Sequence, residues 1–158
     1  MKRPDDAPAR SFSKSVGTSL GDQPPPRHVL IVDDTRVAAH ALERLLEALG
    51  QRVRVALSGM EALRMVAEER PDVVISDISM PDLDGYELAR RIRSDPGCDR
   101  VTLVALTAYG QAEDRRVALD AGFGYHLVKP VSLKALQELF AGFPTASVSA
   151  PGGTSGQD

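Results

Sequence analysis

Four short apolar runs, each delivering a polar side chain at its end, constrain this chain more than any other feature. His28-Val-Leu-Ile-Val32 runs into Asp33-Asp34, and Asp72-Val-Val-Ile-Ser76 runs into Asp77. Val101-Thr-Leu-Val-Ala-Leu106 ends in Thr107, and Gly124-Tyr-His-Leu-Val128 ends in Lys129-Pro130. Runs that are apolar on both faces read as strands of a parallel sheet with helices packed on either side. Parallel neighbours bring their C-terminal ends to one edge, where the ligand crevice of an open α/β sheet forms. Three acids, a hydroxyl and an ammonium are therefore expected to converge.

The stretches between these runs supply the crossovers. Thr35 to Leu49 carries Ala38, Ala41, Leu42, Leu45, Leu46 and Leu49 at helical spacing, and Gly50 stops it. Gln51 to Leu57 alternates Arg52 and Arg54 with Val53, Val55 and Leu57, the period of a half-exposed strand at a sheet edge. Ser58-Gly-Met-Glu61 has the form of a capping box opening a helix through about Glu69, which Pro71 ends. A short helix is expected from Tyr86 to Arg93, with Leu88 and Ile92 inward. Another spans Gln111 to Ala121 and, having few large apolar residues, should be weakly anchored and able to shift. Leu133 to Phe140 closes the fold through Leu133, Leu136, Leu139 and Phe140.

Strict alternation of strand and helix gives a doubly wound α/β fold with a five-stranded parallel sheet and right-handed crossovers. With the alternating second strand at an edge, the flavodoxin-like order 2-1-3-4-5 follows. That order makes the first and third strands neighbours and sets Asp33, Asp34 and Asp77 across the switch point.

Length and composition narrow the function classes. At 158 residues the chain suits one domain. Residues 28–142 carry the pattern, while 1–27, closing in Pro24-Pro25-Pro26, and the Ser-, Gly- and Pro-rich 143–158 read as disordered arms. A formal charge of −3 argues against nucleic-acid binding. Cys98, the single cysteine, forms no internal disulfide and has no partner at metal-ligand spacing, which points to a reducing compartment. No apolar run approaches the roughly 20 residues that span a bilayer, and Asp5 and Asp6 stand where a signal peptide needs its apolar segment. A cytoplasmic protein without membrane contact is expected.

The Asp33-Asp34 pair, D-x-x-M-P-x-x-D-G from Asp77 to Gly85, Thr107-Ala108 and Lys129-Pro130 together resemble the receiver domain of two-component response regulators, the CheY-like fold. The resemblance covers His28 to about Phe140. It implies that Asp77 is the phosphoacceptor, Asp34 a direct Mg²⁺ ligand, and Asp33 a ligand acting through water. The backbone carbonyl of Ser79 would complete the protein's share of the metal shell, and Thr107 and Lys129 would contact the phosphoryl oxygens. The implied donor is a histidine kinase or a histidine phosphotransfer protein, with an unidentified downstream protein reading the result. Such a protein is a phosphoacceptor rather than an enzyme.

The chemistry of the residues agrees. Three carboxylates at one strand edge repel one another and raise at least one pKa unless a divalent cation offsets them. Mg²⁺ takes a few carboxylate oxygens, keeps several waters and bridges phosphate. An ionised Asp77 can attack phosphorus with no base, while Lys129 neutralises charge on the transferring group.

Other readings exist for the same residues. Asp33-Asp34 alone could cap the following helix, Thr107 alone could be a turn residue, and Lys129 alone a solvated terminus. A haloacid-dehalogenase-type phosphatase needs D-x-D on its first strand, where this chain has Asp33-Asp34-Thr35. A phosphorylation-independent interaction module of the same fold would be expected to have lost an acid, the Thr or the Lys, and all are present.

One position departs from the resemblance. Three residues before the Lys the family usually carries Tyr or Phe as a switch residue working with the Thr, and here stands His126. Tyr125 cannot replace it, because successive strand side chains face opposite sides. The resulting expectation is a switch formed by Thr107 and His126. A cis Lys129-Pro130 bond and a Tyr109 ring lying over the phosphate are also expected.

Overall fold

The structure, a computed structural model, describes residues 25–108 and 112–143, with the side chains of 112–114 left aside. Tyr109 and most of both arms lie outside the described residues. Five strands, β1 (His28–Val32), β2 (Arg52–Ala56), β3 (Val73–Asp77), β4 (Thr102–Thr107) and β5 (Tyr125–Val128), form one sheet in the order β2-β1-β3-β4-β5. All four pairings are parallel. The helices are α1 (Arg36–Ala48), α2 (Gly59–Glu68), α3 (Gly85–Arg93), α4 (Ala112–Ala121) and α5 (Leu133–Ala141), with a 3₁₀ turn at Pro96–Cys98. Order and element succession agree with the sequence reading. Among the described residues, no helix is long and apolar enough to cross a membrane.

The apolar runs are continuous because both sheet faces are covered. On one face Leu30, Val32, Val74, Leu103 and Ala105 belong to a core shared with Ala62, Val66, Leu88 and Ile92. On the other, Val29, Ile31, Val73, Ile75, Val104 and Leu106 pack with Ala39, Leu42, Leu46, Leu136 and Phe140. Every residue of β3 is buried, as its central place requires. α4 is thinly held: of its described side chains, Ala118 and Ala121 alone are buried.

The caps follow local chemistry. Ser58 Oγ accepts the Glu61 N–H at 3.0 Å, and Glu61 Oε1 accepts the Leu57 N–H at 2.8 Å, so the box closes one residue before the N-cap. Asp84 caps α3 through the Glu87 N–H at 2.9 Å, and Ser132 caps α5 through the Ala135 N–H at 3.1 Å.

Three details differ from expectation. The buried stripe of α1 is Ala39, Leu42 and Leu46, whereas Ala41 is exposed and Ala38 and Leu45 half-buried. The apolar set of α1 is wider than the face the sheet can cover, and a 3.6-residue period through Leu42 and Leu46 passes through Ala39. Leu133 is 39% exposed, and Phe143, beyond the end of α5, is buried in the core instead. The folded unit therefore reaches from Pro26 to Phe143, slightly past the limits read from sequence. Phe143 meets Tyr125 edge-on at 4.8 Å, and the Arg27 guanidinium lies 5.3 Å from the Phe143 ring centre. These contacts join the segments that enter and leave the domain.

Gly85 sets the distance between β3 and α3. Its N–H donates to the Ile78 carbonyl at 2.9 Å, and a Cβ there would collide with the Asp77 carbonyl oxygen and lie 2.8 Å from Ile78 Cα. Neither backbone neighbour can yield without moving the end of β3. Gly85→Ala should therefore lower the unfolding free energy by about 1–3 kcal/mol, read from urea denaturation as a lower midpoint at unchanged slope.

Candidate functional site

The C-terminal ends of β1, β3, β4 and β5 deliver the residues the sequence singled out. Asp33 follows β1 and is 1% exposed, its N–H donating to the Ala56 carbonyl at 3.1 Å. Its Oδ1 accepts the Thr35 N–H at 2.9 Å. The N-cap of α1 is Thr35, which makes no side-chain capping bond, so neither acid of the pair serves as the helix cap. Asp34, next in the chain, is exposed.

Asp77 ends β3 and is 6% exposed. Its Oδ1 accepts the Ser79 N–H at 3.2 Å, and its Oδ2 accepts from Lys129 Nζ at 3.2 Å. The same ammonium stands 3.4 Å from Asp33 Oδ2. Lys129 is aimed across the sheet edge from the far side, its backbone N–H donating to the Thr107 carbonyl at 2.8 Å and its bond to Pro130 cis, as expected. Thr107 ends β4, is buried, and places Oγ1 3.4 Å from His126 Nε2.

The electrostatics of the site follow from this crowding. Burial pushes the Asp77 carboxyl above the ordinary aspartate range, the Lys129 ammonium pulls it back in part, and the Asp33 charge adds to the rise. An ion pair alone would lower the value, so desolvation wins at Asp77. Burial pulls the Lys129 ammonium down, but Asp77 and Asp33 together outweigh it and hold it above the usual lysine value.

Carboxylate oxygens of Asp33, Asp34 and Asp77 lie within 4.8 Å of one another. Three carboxylates face one ammonium, an excess of negative charge that a divalent cation with oxygen preference matches. The donor set thus fits Mg²⁺, and the exposed Asp34 leaves a side open for the waters that Mg²⁺ retains.

Asp34, Asp77, Ser79, Thr107 and Lys129 line an open cleft of about 610 Å³. Tyr86, on the first turn of α3, also lines it. Sequence reasoning placed Tyr86 only as a helix residue, and its position directly after the close-packed Gly85 was the one available signal. A second groove of about 430 Å³ shares Lys129 with the cleft, reaches Asp33, and is lined otherwise by apolar groups including Ala38, Ala41, Leu45 and Val131. Ala38, Ala41 and Leu45, which are not fully buried in the core, line this groove beside the buried Leu42.

With this geometry in hand, the comparisons with known proteins are direct. The model of the response regulator receiver domain matches residues 29–141. The chain belongs to the response regulator receiver family. Response regulator MprA of Mycobacterium sp. (strain KMS) is 40% identical over 111 residues, covering 70% of this chain and 47% of MprA. The chain thus spans about half the length of that relative. The receiver domain of sensor histidine kinase PA1611 from Pseudomonas aeruginosa PAO1, solved with a magnesium ion coordinated in its active-site cleft, superposes with a TM-score of 0.67 at 35% identity. That match covers 72% of this chain and 93% of the other. The co-crystal structure of the Saccharomyces cerevisiae phosphotransfer protein Ypd1 with the receiver domain of its downstream response regulator Ssk1 gives a TM-score of 0.69 at 31% identity, over 74% of this chain and 88% of that one.

Two outcomes are expected of this receiver site. Mg²⁺ should raise the melting temperature of the unmodified protein and a chelator should reverse the rise, the gain being about 2.7 kcal/mol at a hundred times Kd. Asp77→Asn should shrink that gain. The second outcome concerns pH without metal. A carboxyl raised in the native state binds its proton more tightly there, so its contribution is most favourable below the unfolded pKa and is lost as pH rises through the native value. The Asp77→Asn variant should therefore gain stability relative to the parent from acid toward neutral pH, as measured by urea denaturation in chelator.

Proposed function

We propose that this receiver takes a phosphoryl group onto Asp77 from a histidine kinase or a histidine phosphotransfer protein and so switches its binding to a downstream protein. The observation that carries the reading is the pairing of a buried, desolvated Asp77 with Lys129 at 3.2 Å, beside Asp33, on the edge of the central strand. Asp33, Asp34, Asp77 and the Ser79 carbonyl would hold Mg²⁺, which supplies further neutralisation of charge on the transferring group.

The chain's own residues account for the rest. The Ser79 N–H holds Asp77 Oδ1 and fixes the rotation of the carboxylate. A carboxylate oxygen of Asp77 forms a bond to phosphorus as the bond from phosphorus to the donor's imidazole nitrogen breaks, with the electron pair leaving on that nitrogen. Lys129, now against Oδ2, transfers its contact to a phosphoryl oxygen, and the Thr107 hydroxyl donates to another. Positioning and charge do most of the work, since no proton need be removed from the nucleophile. Attack of water on phosphorus later returns the carboxylate and releases phosphate. The protein acts as a stoichiometric acceptor and switch rather than as a turnover enzyme, and its place is the cytoplasm.

The apolar groove beside the cleft suits the donor protein. It opens onto Asp33 and Lys129, so a helix seated on Ala38, Ala41 and Leu45 brings its histidine to the same sheet edge.

Acetyl phosphate with a divalent cation tests the chemistry and a phosphodonor protein tests the docking. The parent should gain one acid-labile phosphoryl group in intact-mass spectra, and Asp77→Asn should gain none; uptake by that variant at the parent's rate overturns the assignment. Ala41→Asp should slow transfer from the donor protein more than tenfold while leaving uptake from acetyl phosphate unchanged.

A further inference from the structure

The buried run of β3 contains one hydroxyl. Val73, Val74 and Ile75 fill the central strand with apolar side chains, and Ser76, wholly buried, stands directly before Asp77. Its partners across the sheet are Val32 on β1 and Ala105 on β4, and neither offers it a polar side chain. A valine at that place would bury more apolar surface, so a serine there has to find its hydrogen bond inside the protein. It finds it on the next residue, where Ser76 Oγ donates to the Asp77 carbonyl at 2.9 Å.

The sheet shows why that carbonyl takes a side-chain donor. The peptide between Asp77 and Ile78 is trans, so its N–H and its carbonyl point to opposite sides. The N–H donates to the Leu106 carbonyl of β4 at 3.2 Å, which turns the Asp77 carbonyl toward β1. On that side the paired residues end one step earlier, with Val32 against Ser76. The Ser76 hydroxyl therefore takes the place of a further rung on β1. α3 closes over the same carbonyl, since a Cβ on Gly85 would collide with its oxygen.

The orientation of this peptide reaches the carboxylate. It sets ψ of Asp77 and φ of Ile78, and with them the place of the Ser79 N–H that Asp77 Oδ1 accepts at 3.2 Å. A tilt of the peptide plane swings that N–H and turns the carboxylate with it. We propose that Ser76 is a positioning residue, whose hydroxyl holds the Asp77–Ile78 peptide and so sets the Asp77 carboxylate for attack on phosphorus. This rests on the phosphoacceptor reading and adds to it a residue that touches neither the phosphoryl group nor its donor. In-line transfer tolerates little misplacement of the nucleophile, so the effect of losing the hydroxyl falls on the rate of transfer rather than on affinity for the phosphodonor.

Uptake from acetyl phosphate with Mg²⁺, followed by intact mass on the full chain, provides the test. At saturating acetyl phosphate Ser76→Ala should react about three- to tenfold more slowly than the parent, the worth of one neutral hydrogen bond expressed as a rate. The acetyl phosphate concentration giving half the maximal rate should stay that of the parent. Ser76→Thr and Ser76→Val separate the hydroxyl from the shape, because the two side chains differ by a hydroxyl in place of a methyl. The Thr variant should outpace the Val variant by the same factor, and equal rates overturn the proposal. A Ser76→Ala variant that unfolds at lower urea yet reacts at the parent's rate shows a merely structural serine and overturns it too. A parent that takes up no phosphoryl group overturns the phosphoacceptor reading and the proposal with it. The contact itself is read without loading: the ¹³C resonance of the Asp77 carbonyl should differ between the Thr and Val variants, and coincident resonances reject the hydrogen bond.

Discussion

The ammonium of Lys129, between Asp77 and Asp33, is the interaction on which the rest of the site depends. Two like charges about 5 Å apart in a partly buried site repel by on the order of 3 kcal/mol at an effective dielectric near 20. Three carboxylates make three such pairs, and two of the three acids are buried. A sheet edge of that kind is tolerable only with positive charge among the carboxylates. Lys129 supplies part of it from within the chain. What remains is an excess of negative charge, which suits an oxygen-seeking divalent cation.

That dependence explains why the topology matters more than any single motif. Asp33 and Asp77 are neighbours because β1 and β3 are adjacent, and Lys129 reaches them from two strands beyond β3. β3 must be central for Asp77 to be desolvated, and desolvation is the main reason its carboxyl lies high. Gly85 then lets α3 begin against the end of β3, bringing Tyr86 to the cleft. A side chain at Gly85 would act on the fold and on the position of Asp77 together.

The margin of the molecule is organised differently from its centre. α4 is fastened by two small buried residues among those described, and Leu119 on its surface is 64% exposed. β5 shows His126 and Val128 on the side that α4 leaves partly uncovered, while Tyr125 and Leu127 face the opposite core. The hydroxyl of Thr107 sits between this loosely covered margin and the tightly packed acidic edge. The polar His126 turns that boundary into a hydrogen-bonding contact, its Nε2 3.4 Å from Thr107 Oγ1.

Much of this was legible in the residues. The four strand ends, the edge character of Arg52–Ala56, the sheet order, the cap at Ser58 and the convergence of Asp33, Asp34, Asp77, Thr107 and Lys129 all follow from periodicity and connection rules. These rules act over a turn of helix or a strand, or through the single topology that strict alternation allows. Tertiary structure alone decided which acid of the Asp33-Asp34 pair is buried, that Lys129 meets Asp33 as well as Asp77, and that Tyr86 lines the cleft. It also put Ala41 on a groove instead of in the core, drew Arg27 and Phe143 into the folded unit, and set His126 against Thr107. Each of these depends on how helices and neighbouring strands overlie one another, at distances of a few ångströms between residues far apart in the chain. Local pattern carries the direction of a side chain but not what it meets.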